Sequence, residues 1–253
     1  MAVVALAETS ELLSDAGFSH GFFTRQGGVS PEPWASLNFF SGNGDDVGRV
    51  AENLRRAARF LGADPARVYF LSQVHGTTAR VLYGDEVRTD VLHDQGDITL
   101  SQRPGVACGV RMADCATVLI GDRRTGAVAA VHAGWRGVVA EAAPAGVRAL
   151  RELLGGPGDL VAAVGPHIGP CCFEVGEDVA TTLERASLVA GVVDRGGNKP
   201  HVDLRTIIDA QLHAAEVTVD HVGGCTRCGP ARYHSYRRDG AVSGRMLAAI
   251  VAR

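Results

Sequence analysis

The fold is indicated by residues 105–137, GVACGVRMADCATVLIGDRRTGAVAAVHAGWRG. Two short apolar runs, ATVLI (116–120) and AVAAVH (127–132), are separated by GDRRTG, a sequence typical of tight turns. We therefore predict that the two runs form an antiparallel β-hairpin. Cys115 directly precedes the first strand and His132 closes the second, so antiparallel pairing brings these side chains together at one end of the hairpin.

A third residue of metal-binding type follows another predicted strand. The run VYFLSQV (68–74) is rich in β-branched and aromatic residues and is followed directly by His75. Zinc accepts imidazole and thiolate ligands together, and catalytic zinc sites keep three protein ligands and one open position. His75, Cys115 and His132 are therefore the candidate zinc ligands, and we expect them to serve catalysis on a small substrate.

Copper is a less favoured cofactor for the same ligands. Blue-copper sites use two histidines and a cysteine with a weak axial methionine. The chain has only three methionines, and none closely follows His132. Its nine histidines contain no His-x-His pair, so the clustered histidines of a multicopper oxidase are not evident.

Helical and strand patterns are mixed on both sides of this segment. Asp45 and Asp46 are suited to cap a helix that runs to Leu61, and Gly62 is suited to end it. Because hairpins and helices are mixed and no linker divides the chain, we predict a single α+β domain over residues 1–253. The other predicted elements are strands at 105–112, 160–164 and 217–222 and helices at 138–154, 177–188 and 203–215, with Pro144 marking a kink or a late start.

Composition limits the classes of partner. The chain has 253 residues, of which 46% are apolar, and a net charge of −3. That charge provides no positive field to attract nucleic acid or an anionic membrane. No apolar run reaches the roughly 20 residues that cross a bilayer, and the first residues lack the charged start of a signal peptide. We therefore expect a cytoplasmic protein whose partners are small molecules.

Four further cysteines raise the question of a second metal site. Cys225 and Cys228 form a C-x-x-C pair, and Cys171 and Cys172 are adjacent. Structural zinc sites with four thiolates usually use two C-x-x-C pairs, and adjacent cysteines chelate one ion awkwardly. We therefore expect these four residues to be thiols in turns, without a part in metal binding.

Glycine-flanked basic motifs are candidate anion-binding loops. They are TRQGG (24–28), GWRG (134–137) and SYRRDG (235–240), in which backbone N–H groups beside an arginine can hold a phosphate or a carboxylate. Arg136 follows His132 by four residues, so we expect it to reach the same pocket and to act in catalysis. The further candidates for binding substrate or phosphate are Arg25, Gly27, Gly28 and Gln73.

Acid or base catalysis beside the metal would need a carboxylate. Asp97 and Asp114, which directly precedes Cys115, are the candidates. The H-x-E and P-C-x-x-C patterns of the zinc nucleobase deaminases do not occur, so that fold is excluded.

The motifs together resemble the YfiH-like family, also called the laccase-domain, polyphenol oxidase-type or peptidoglycan editing factor family. The resemblance runs nearly end to end, although Ala116 and Thr117 follow ADC where the family commonly has Pro-Val. It implies mixed sheets layered between helices and a zinc site on His75, Cys115 and His132. The motifs that resemble the family are HGFFTRQGGVS (20–30), QVHG (73–76), ADC (113–115), AAVHAGWRG (129–137), GPHIGPCCFEVG (165–176) and SYRRDGAVSGRM (235–246).

The resemblance also implies an activity on purine nucleosides. Family members are described as enzymes that phosphorolyse adenosine, inosine and methylthioadenosine and that deaminate adenosine. In deamination, Asp97 or Asp114 would transfer a proton, and in phosphorolysis Arg136 and Arg25 would hold the phosphate.

Two other functions stay open at this point. The first is a cysteine hydrolase or deamidase with Cys115 as nucleophile and His132 as base. The second is a non-catalytic factor that binds or edits a cell-wall precursor. A copper polyphenol oxidase is the least supported function.

Overall fold

The computed structural model describes residues 5–253, and this part of the chain contains thirteen β-strands and eight α-helices. Two short 3-10 helices cover Pro65–Arg67 and Gly240–Val242. The strands are β1 (Ala7–Glu8), β2 (His20–Phe23), β3 (Val68–Tyr69), β4 (Ala79–Val81), β5 (Ile98–Ser101), β6 (Ala107–Met112), β7 (Ala116–Asp122), β8 (Val128–Ala133), β9 (Leu160–Val164), β10 (Val193–Asp194), β11 (His201–Val202), β12 (Thr218–His221) and β13 (Met246–Val251). The helices are α1 (Glu11–Asp15), α2 (Val47–Leu61), α3 (Arg88–Val91), α4 (Trp135–Val139), α5 (Ala142–Leu154), α6 (Glu177–Ala186), α7 (Leu204–Ala214) and α8 (Tyr236–Asp239).

Two large sheets stack face to face between helices. The five-stranded sheet has the order β1-β2-β13-β6-β3, and the six-stranded sheet has the order β12-β9-β7-β8-β5-β4. Buried side chains of both sheets, such as Val110 and Leu119, fill the space between them. Helix α2 covers the outer face of the first sheet, and α4 to α7 cover the outer face of the second. The predicted α+β fold class with mixed sheets layered between helices is confirmed, although residues 1–4 of the predicted domain lie outside the described residues.

The predicted hairpin is present and has the expected register. β7 and β8 pair antiparallel, with Ala116 opposite Ala133 and Thr117 opposite His132. Cys115, directly before β7, therefore lies at the same end of the hairpin as His132. The hairpin occupies the centre of the six-stranded sheet, since β9 and β5 pair with its two outer edges.

Several element boundaries follow from local side-chain chemistry. Asp46 caps α2 by accepting a hydrogen bond from the Arg49 N–H, and Gly62 ends the helix in the left-handed conformation with φ of 67°. Pro144 lies in the first turn of α5, where its missing N–H needs no helical partner, so it marks a late helix start.

The predicted strand at 68–74 is wrong in its length. Only Val68 and Tyr69 pair with β6. The following residues leave the five-stranded sheet, and Ser72 forms a single bridge with Gln95, which precedes β5 of the other sheet. The apolar pattern continues because Phe70 and Leu71 are buried on this crossing, not because they pair in a strand.

Helix α5 approaches β8 closely at a glycine. A Cβ atom placed on Gly146 would lie 2.4 Å from Cγ2 of Val131, the residue before His132. Glycine at this position therefore allows the helix to pack directly on the strand that carries a candidate metal ligand.

We predict that Gly146→Ala lowers the free energy of unfolding. Alanine normally stabilises a helix by about 1 kcal/mol relative to glycine, but overpacking a core costs about 1–3 kcal/mol. Urea denaturation of the variant is expected to show a net loss, and the loss is expected to disappear in a Val131→Ala background, where the clashing methyl is absent. Equal losses in both backgrounds would contradict the close contact, because the two substitutions would then be independent.

Candidate metal centre and substrate cavity

The three predicted zinc ligands lie together at one end of the six-stranded sheet. Cys115 precedes β7, His132 lies in β8, and His75 lies in the loop between β3 and β4. Their ligand atoms all lie within 4.8 Å of one another, and Cys115 Sγ is 3.9 Å from His75 Nε2. In a tetrahedral zinc site, usual bond lengths place a sulfur and a nitrogen ligand about 3.5 Å apart. The donor set and its spacing therefore fit one zinc ion.

The carboxylate of Asp97 orients two of these ligands. Asp97 is fully buried, and its Oδ1 accepts a hydrogen bond from His132 Nδ1 at 2.8 Å. The carboxylate also accepts the backbone N–H groups of Val74, His75 and Gly76, at 3.2, 2.9 and 2.7 Å. These bonds hold His75 at a positive φ of 63°, which few non-glycine residues adopt. Because Nδ1 of His132 is occupied, Nε2 is left for a metal, as is usual for histidine ligands of zinc.

Electrostatics at the cluster favour a thiolate beside a cation. Burial alone would raise the pKa of the Cys115 thiol, but His132 and His75 lower it to about 6. Burial alone would lower the pKa of His132, whereas Cys115 and Asp97 raise it to about 9. Cysteine binds zinc as the thiolate, so the low pKa of Cys115 agrees with a metal centre, whereas His132 binds a metal only after losing its Nε2 proton.

Gly134 leaves room for the ligands. A Cβ atom at this position would lie 2.8 Å from the His75 ring and 2.9 Å from Cys115 Sγ. The glycine of the GWRG motif therefore has a steric role beside the candidate metal ligands.

A cavity of about 630 Å³ opens on the cluster. Its volume is within the range of roughly 300–1,000 Å³ that is usual for small-molecule sites. The wall combines cationic and aromatic side chains with Asp114 and the three metal-binding candidates. The arginines and aromatic residues of the wall are Arg111, Arg237, Arg245, Phe40, Phe173 and Tyr236.

Arg111 and Arg245 are held by aromatic stacking. The Arg111 guanidinium lies 4.8 Å from the centre of the Phe70 ring and 5.3 Å from that of Phe40. Arg245 lies 5.7 Å from the Phe40 ring on the same side of the cavity. Burial and the nearby Arg245 lower the pKa of Arg111 to about 10, so it stays protonated at neutral pH. Within residues 5–253, neither guanidinium forms a salt bridge, which leaves both charges for an anionic ligand.

Arg237 and Asp114 form a second part of the wall. Asp114 Oδ2 accepts the Arg237 backbone N–H at 2.6 Å, and Oδ1 accepts the Thr226 hydroxyl at 2.5 Å. The Arg237 side chain donates to the Glu174 carbonyl at 2.8 Å and stacks on Phe173 at 5.6 Å. These bonds fix the orientation of the Asp114 carboxylate in the cavity wall.

The sequence candidates for anion binding are placed differently from the expectation. Arg136 is exposed, stacks on Trp135 at 4.3 Å and does not line the cavity, because β8 ends at Ala133 and a new helix turns the side chain away. Arg25 is also outside the cavity, since it donates to the carbonyl of Ala35 at 2.6 Å and belongs to a separate surface loop.

The other candidates have mixed outcomes. Gly27 and Gly28 lie outside the cavity, and Gly28 approaches the Ser36 backbone so closely that a Cβ atom would not fit. Gln73 lines the cavity, but its amide binds the backbone N–H and C=O of Arg111 at 2.8 and 2.7 Å. Asp97 is behind the ligands, whereas Asp114 lines the cavity.

Of the three arginines that line the cavity, Arg111 and Arg245 were not predicted, and Arg237 was predicted only as part of the SYRRDG motif. This motif is basic and ends in glycine, but the sequence does not indicate which residues Arg237 contacts. Arg111 had a weaker signal, as a charged residue within the otherwise apolar strand β6. Arg245 directly precedes β13, and no pattern of the local sequence indicates that it faces a site.

The expectation that the adjacent cysteines cannot easily reach a common point with the C-x-x-C pair is wrong. Cys171, Cys172, Cys225 and Cys228 do lie in turns, but their sulfur atoms are all within 4.8 Å of one another. Adjacency of Cys171 and Cys172 does not prevent their convergence, because a tight turn presents both sulfurs to the other pair.

Comparison with known proteins agrees with this architecture. Residues 19–253 match a family model described as multi-copper polyphenol oxidoreductase laccase. The chain belongs to this YfiH-type laccase-domain family. A protein of Streptomyces coelicolor named purine nucleoside phosphorylase is 38% identical over 228 residues, which cover 88% of this chain and 91% of the relative.

Two further laccase-domain relatives extend the comparison. A protein of Pseudomonas aeruginosa, also named purine nucleoside phosphorylase, is 41% identical over 220 residues, covering 85% of this chain and 86% of its own. The crystal structure of hypothetical protein YfiH from Bacillus licheniformis has a TM-score of 0.89 at 25% identity, with 98% of this chain and 97% of that chain covered.

Across residues 5–253, none of the helices combines the length and apolarity needed to pass through a membrane.

We predict that Asp97→Asn raises the zinc dissociation constant of the His75, Cys115 and His132 site about 10- to 100-fold, the usual effect of losing such a supporting contact. The asparagine NH₂ group would face the N–H groups of Val74 or Gly76, so the loop that carries His75 would lose its position. Competition with a chelating dye measures this dissociation constant. Elemental analysis of the same protein accounts for zinc bound elsewhere.

The matched control is Asp122→Asn. Asp122 is also fully buried and accepts two backbone N–H groups, from Thr125 and Asp159, but it lies at the opposite end of β7 from Cys115. We expect the control to lower stability without changing zinc affinity. An equal loss of zinc affinity in both variants would show that Asp97 has no specific role. As a second control, Cys115→Ala is expected to lower the zinc content by one equivalent per chain.

Proposed function

We propose that this protein cleaves purine nucleosides by phosphorolysis in the cavity beside a zinc ion held by His75, Cys115 and His132. One observation supports this most directly: cationic and aromatic side chains line the same wall next to the metal ligands. Phosphate and a purine base are the two chemical groups that such a wall recognises. The names of the Streptomyces and Pseudomonas relatives agree with this substrate class.

The donor set favours zinc over copper. One thiolate and two imidazoles with an open fourth position are typical of catalytic zinc. Within residues 5–253 the only other metal-binding group consists of four cysteines, so the additional histidine cluster of a multicopper oxidase is not found there. When bound, zinc supplies a Lewis acid that polarises substrate and acidifies water.

The arginines are proposed to hold the phosphate. In phosphorolysis an oxygen of phosphate forms a bond to C1′ of the ribose while the bond from C1′ to the base nitrogen breaks, giving ribose 1-phosphate and free base. Two guanidinium groups fixed by stacking, those of Arg111 and Arg245, can orient the phosphate and reduce the entropic cost of bringing it to the sugar. We therefore transfer the phosphate-binding role from Arg136 and Arg25 to these residues.

The aromatic residues are proposed to hold the base. Phe40, Phe173 and Tyr236 line the cavity on the side of the arginines. Stacking of a base on an aromatic side chain contributes about 1–3 kcal/mol and tolerates different bases. Adenosine, inosine and methylthioadenosine, which differ at C6 or at the 5′ position, would then be accepted by one wall.

Deamination of adenosine is proposed as a second activity of the same cavity. The observation that favours it is Asp114, a residue of the cavity wall that directly precedes Cys115 and whose carboxylate accepts two hydrogen bonds. Water adds to C6 of the base and ammonia leaves, and a carboxylate at this position can move the proton between them. Asp97 is not suited to this step, because its carboxylate already accepts four hydrogen bonds behind the ligands. Its proposed role is to position His75 and His132.

We predict that products depend on phosphate and on Arg245. Adenosine without phosphate is expected to give inosine alone, and added phosphate is expected to release free base and ribose 1-phosphate. Arg245→Ala removes charge-assisted hydrogen bonds worth about 1.5–3 kcal/mol each, so kcat/KM for phosphate is expected to fall about 10- to 150-fold. Deamination is expected to change less. Chromatography of the products and initial rates at varied phosphate measure both effects.

Arg136→Ala is the control for this experiment. Its side chain is outside the cavity, so both activities are expected to stay near those of the wild type. A larger loss of phosphorolysis in Arg136→Ala than in Arg245→Ala would contradict our assignment of the phosphate site. If adenosine and inosine are not converted under any condition, the proposal fails, and the low pKa of Cys115 beside His132 makes a cysteine hydrolase the next function to test.

A further inference from the structure

The four cysteines outside the candidate active site come from two neighbouring loops. Strands β9 and β12 pair in parallel, so the loops that follow them leave the same edge of the sheet. His167 and Cys225 form a bridge between the loops, and the Thr226 N–H donates to the His167 carbonyl at 3.0 Å. The parallel pairing therefore brings Cys171 and Cys172 to Cys225 and Cys228.

The spacing of the sulfur atoms fits a tetrahedron. All four lie within 4.8 Å of one another, with Cys228 Sγ 3.3 Å from Cys172 Sγ and 3.7 Å from Cys171 Sγ. Four sulfurs around one zinc ion at a bond length of about 2.3 Å are separated by about 3.8 Å. The cluster is thus close to the geometry of a four-thiolate zinc site.

A tight turn explains how adjacent cysteines reach the same point. The N–H groups of Cys172 and Phe173 both donate to the Gly169 carbonyl at 2.9 Å, which closes the chain around residues 169–173. Gly169 also leaves space, because a Cβ atom there would lie 3.3 Å from the Cys225 Cβ and 3.6 Å from Cys171 Sγ. The turn therefore directs both sulfurs toward the C-x-x-C pair.

The surroundings of the cluster compensate negative charge. Burial alone would raise the pKa of Cys225, but backbone N–H groups of Gly169, Cys228 and Arg227 point at its sulfur and lower it. The Arg227 guanidinium lies 3.5 Å from Cys172 Sγ. Four thiolates and one divalent ion leave a net charge of −2, and these donors and this cation offset part of it.

We propose that Cys171, Cys172, Cys225 and Cys228 bind a second zinc ion as a closed structural site. Four protein ligands leave no open position, so this site holds the fold and takes no substrate. One of its two loops lines the cavity, and the other contacts a residue of the cavity wall. Phe173 follows Cys172 directly, and Thr226, which bonds to the Asp114 carboxylate, follows Cys225.

The test uses Cys115→Ala, in which the first site has lost its thiolate and the four cysteines are intact. Purified anaerobically with a reductant, this variant is expected to retain one zinc per chain by elemental analysis. X-ray absorption is expected to show only sulfur neighbours at about 2.3 Å, whereas histidine ligands would add nitrogen at about 2.0–2.1 Å. The readout does not depend on catalytic activity.

Two further substitutions in the Cys115→Ala background complete the experiment. Cys171→Ser and Cys228→Ser alter exposed side chains, and each is expected to reduce the remaining zinc to a small fraction of one equivalent. Cys108→Ala is the matched control, because Cys108 is a thiol buried in β6 outside the cluster. It is expected to leave the zinc content unchanged.

Three results would contradict the proposed second zinc site. Cys115→Ala protein without zinc, nitrogen neighbours around the retained zinc, or zinc that survives Cys228→Ser would each overturn the proposal. Thiol titration of the zinc-free protein separates the rival chemistry, since a disulfide between Cys172 and Cys228 would remove two free thiols that a metal site preserves. None of these outcomes bears on whether the protein phosphorolyses nucleosides.

Discussion

The buried carboxylate of Asp97 is the interaction on which the candidate metal site depends. A carboxylate removed from water costs several kcal/mol unless donors replace its hydration. Here His132 Nδ1 and three successive backbone N–H groups do so, and burial alone would raise the pKa of Asp97 whereas these bonds lower it. The His132 backbone N–H also donates to the Asp97 carbonyl at 2.8 Å. One residue directly before β5 thus fixes a histidine on a strand and a histidine on a loop relative to each other.

This constraint also explains why the site lies where the two sheets meet. The hairpin of β7 and β8 supplies Cys115 and His132 from the six-stranded sheet, whereas His75 lies on the segment that crosses from β3 of the other sheet. The five-stranded sheet contributes to the same cavity through Arg111, near the end of β6, and Arg245, directly before β13. The metal ligands and the proposed phosphate-binding arginines therefore belong to different sheets, and the stacking of the sheets sets the distance between them.

The sequence predicts those parts of the fold and the site that depend on neighbouring residues, such as turns and helix caps. Turn residues and flanking β-branched residues identify the β7–β8 hairpin, and Asp46 and Gly62 mark the ends of α2. The central strand β13 was not identified, because its pairing with β2 and β6 joins the end of the chain to distant segments. Arg136 lies four residues after His132 but outside the cavity, because β8 ends at Ala133 and α4 begins at Trp135. The C-x-x-C pair, the adjacent cysteines and the SYRRDG motif are visible in the sequence, but their convergence, like that of Arg111 and Arg245, depends on non-local strand pairing that has no local signal.

Asp114 connects the two cysteine-containing parts of the molecule. It has a positive φ of 84°, a conformation that costs about 1–3 kcal/mol for a residue with a side chain. Its carbonyl accepts the Ile168 N–H at 2.9 Å, and its carboxylate accepts Thr226 and Arg237. Ile168 and Thr226 belong to the two loops that hold the four cysteines, so these loops stabilise the backbone conformation that directs Cys115 toward His132. The position of the Cys115 side chain is therefore set from two directions, by Asp97 through the histidines and by the cysteine loops through Asp114.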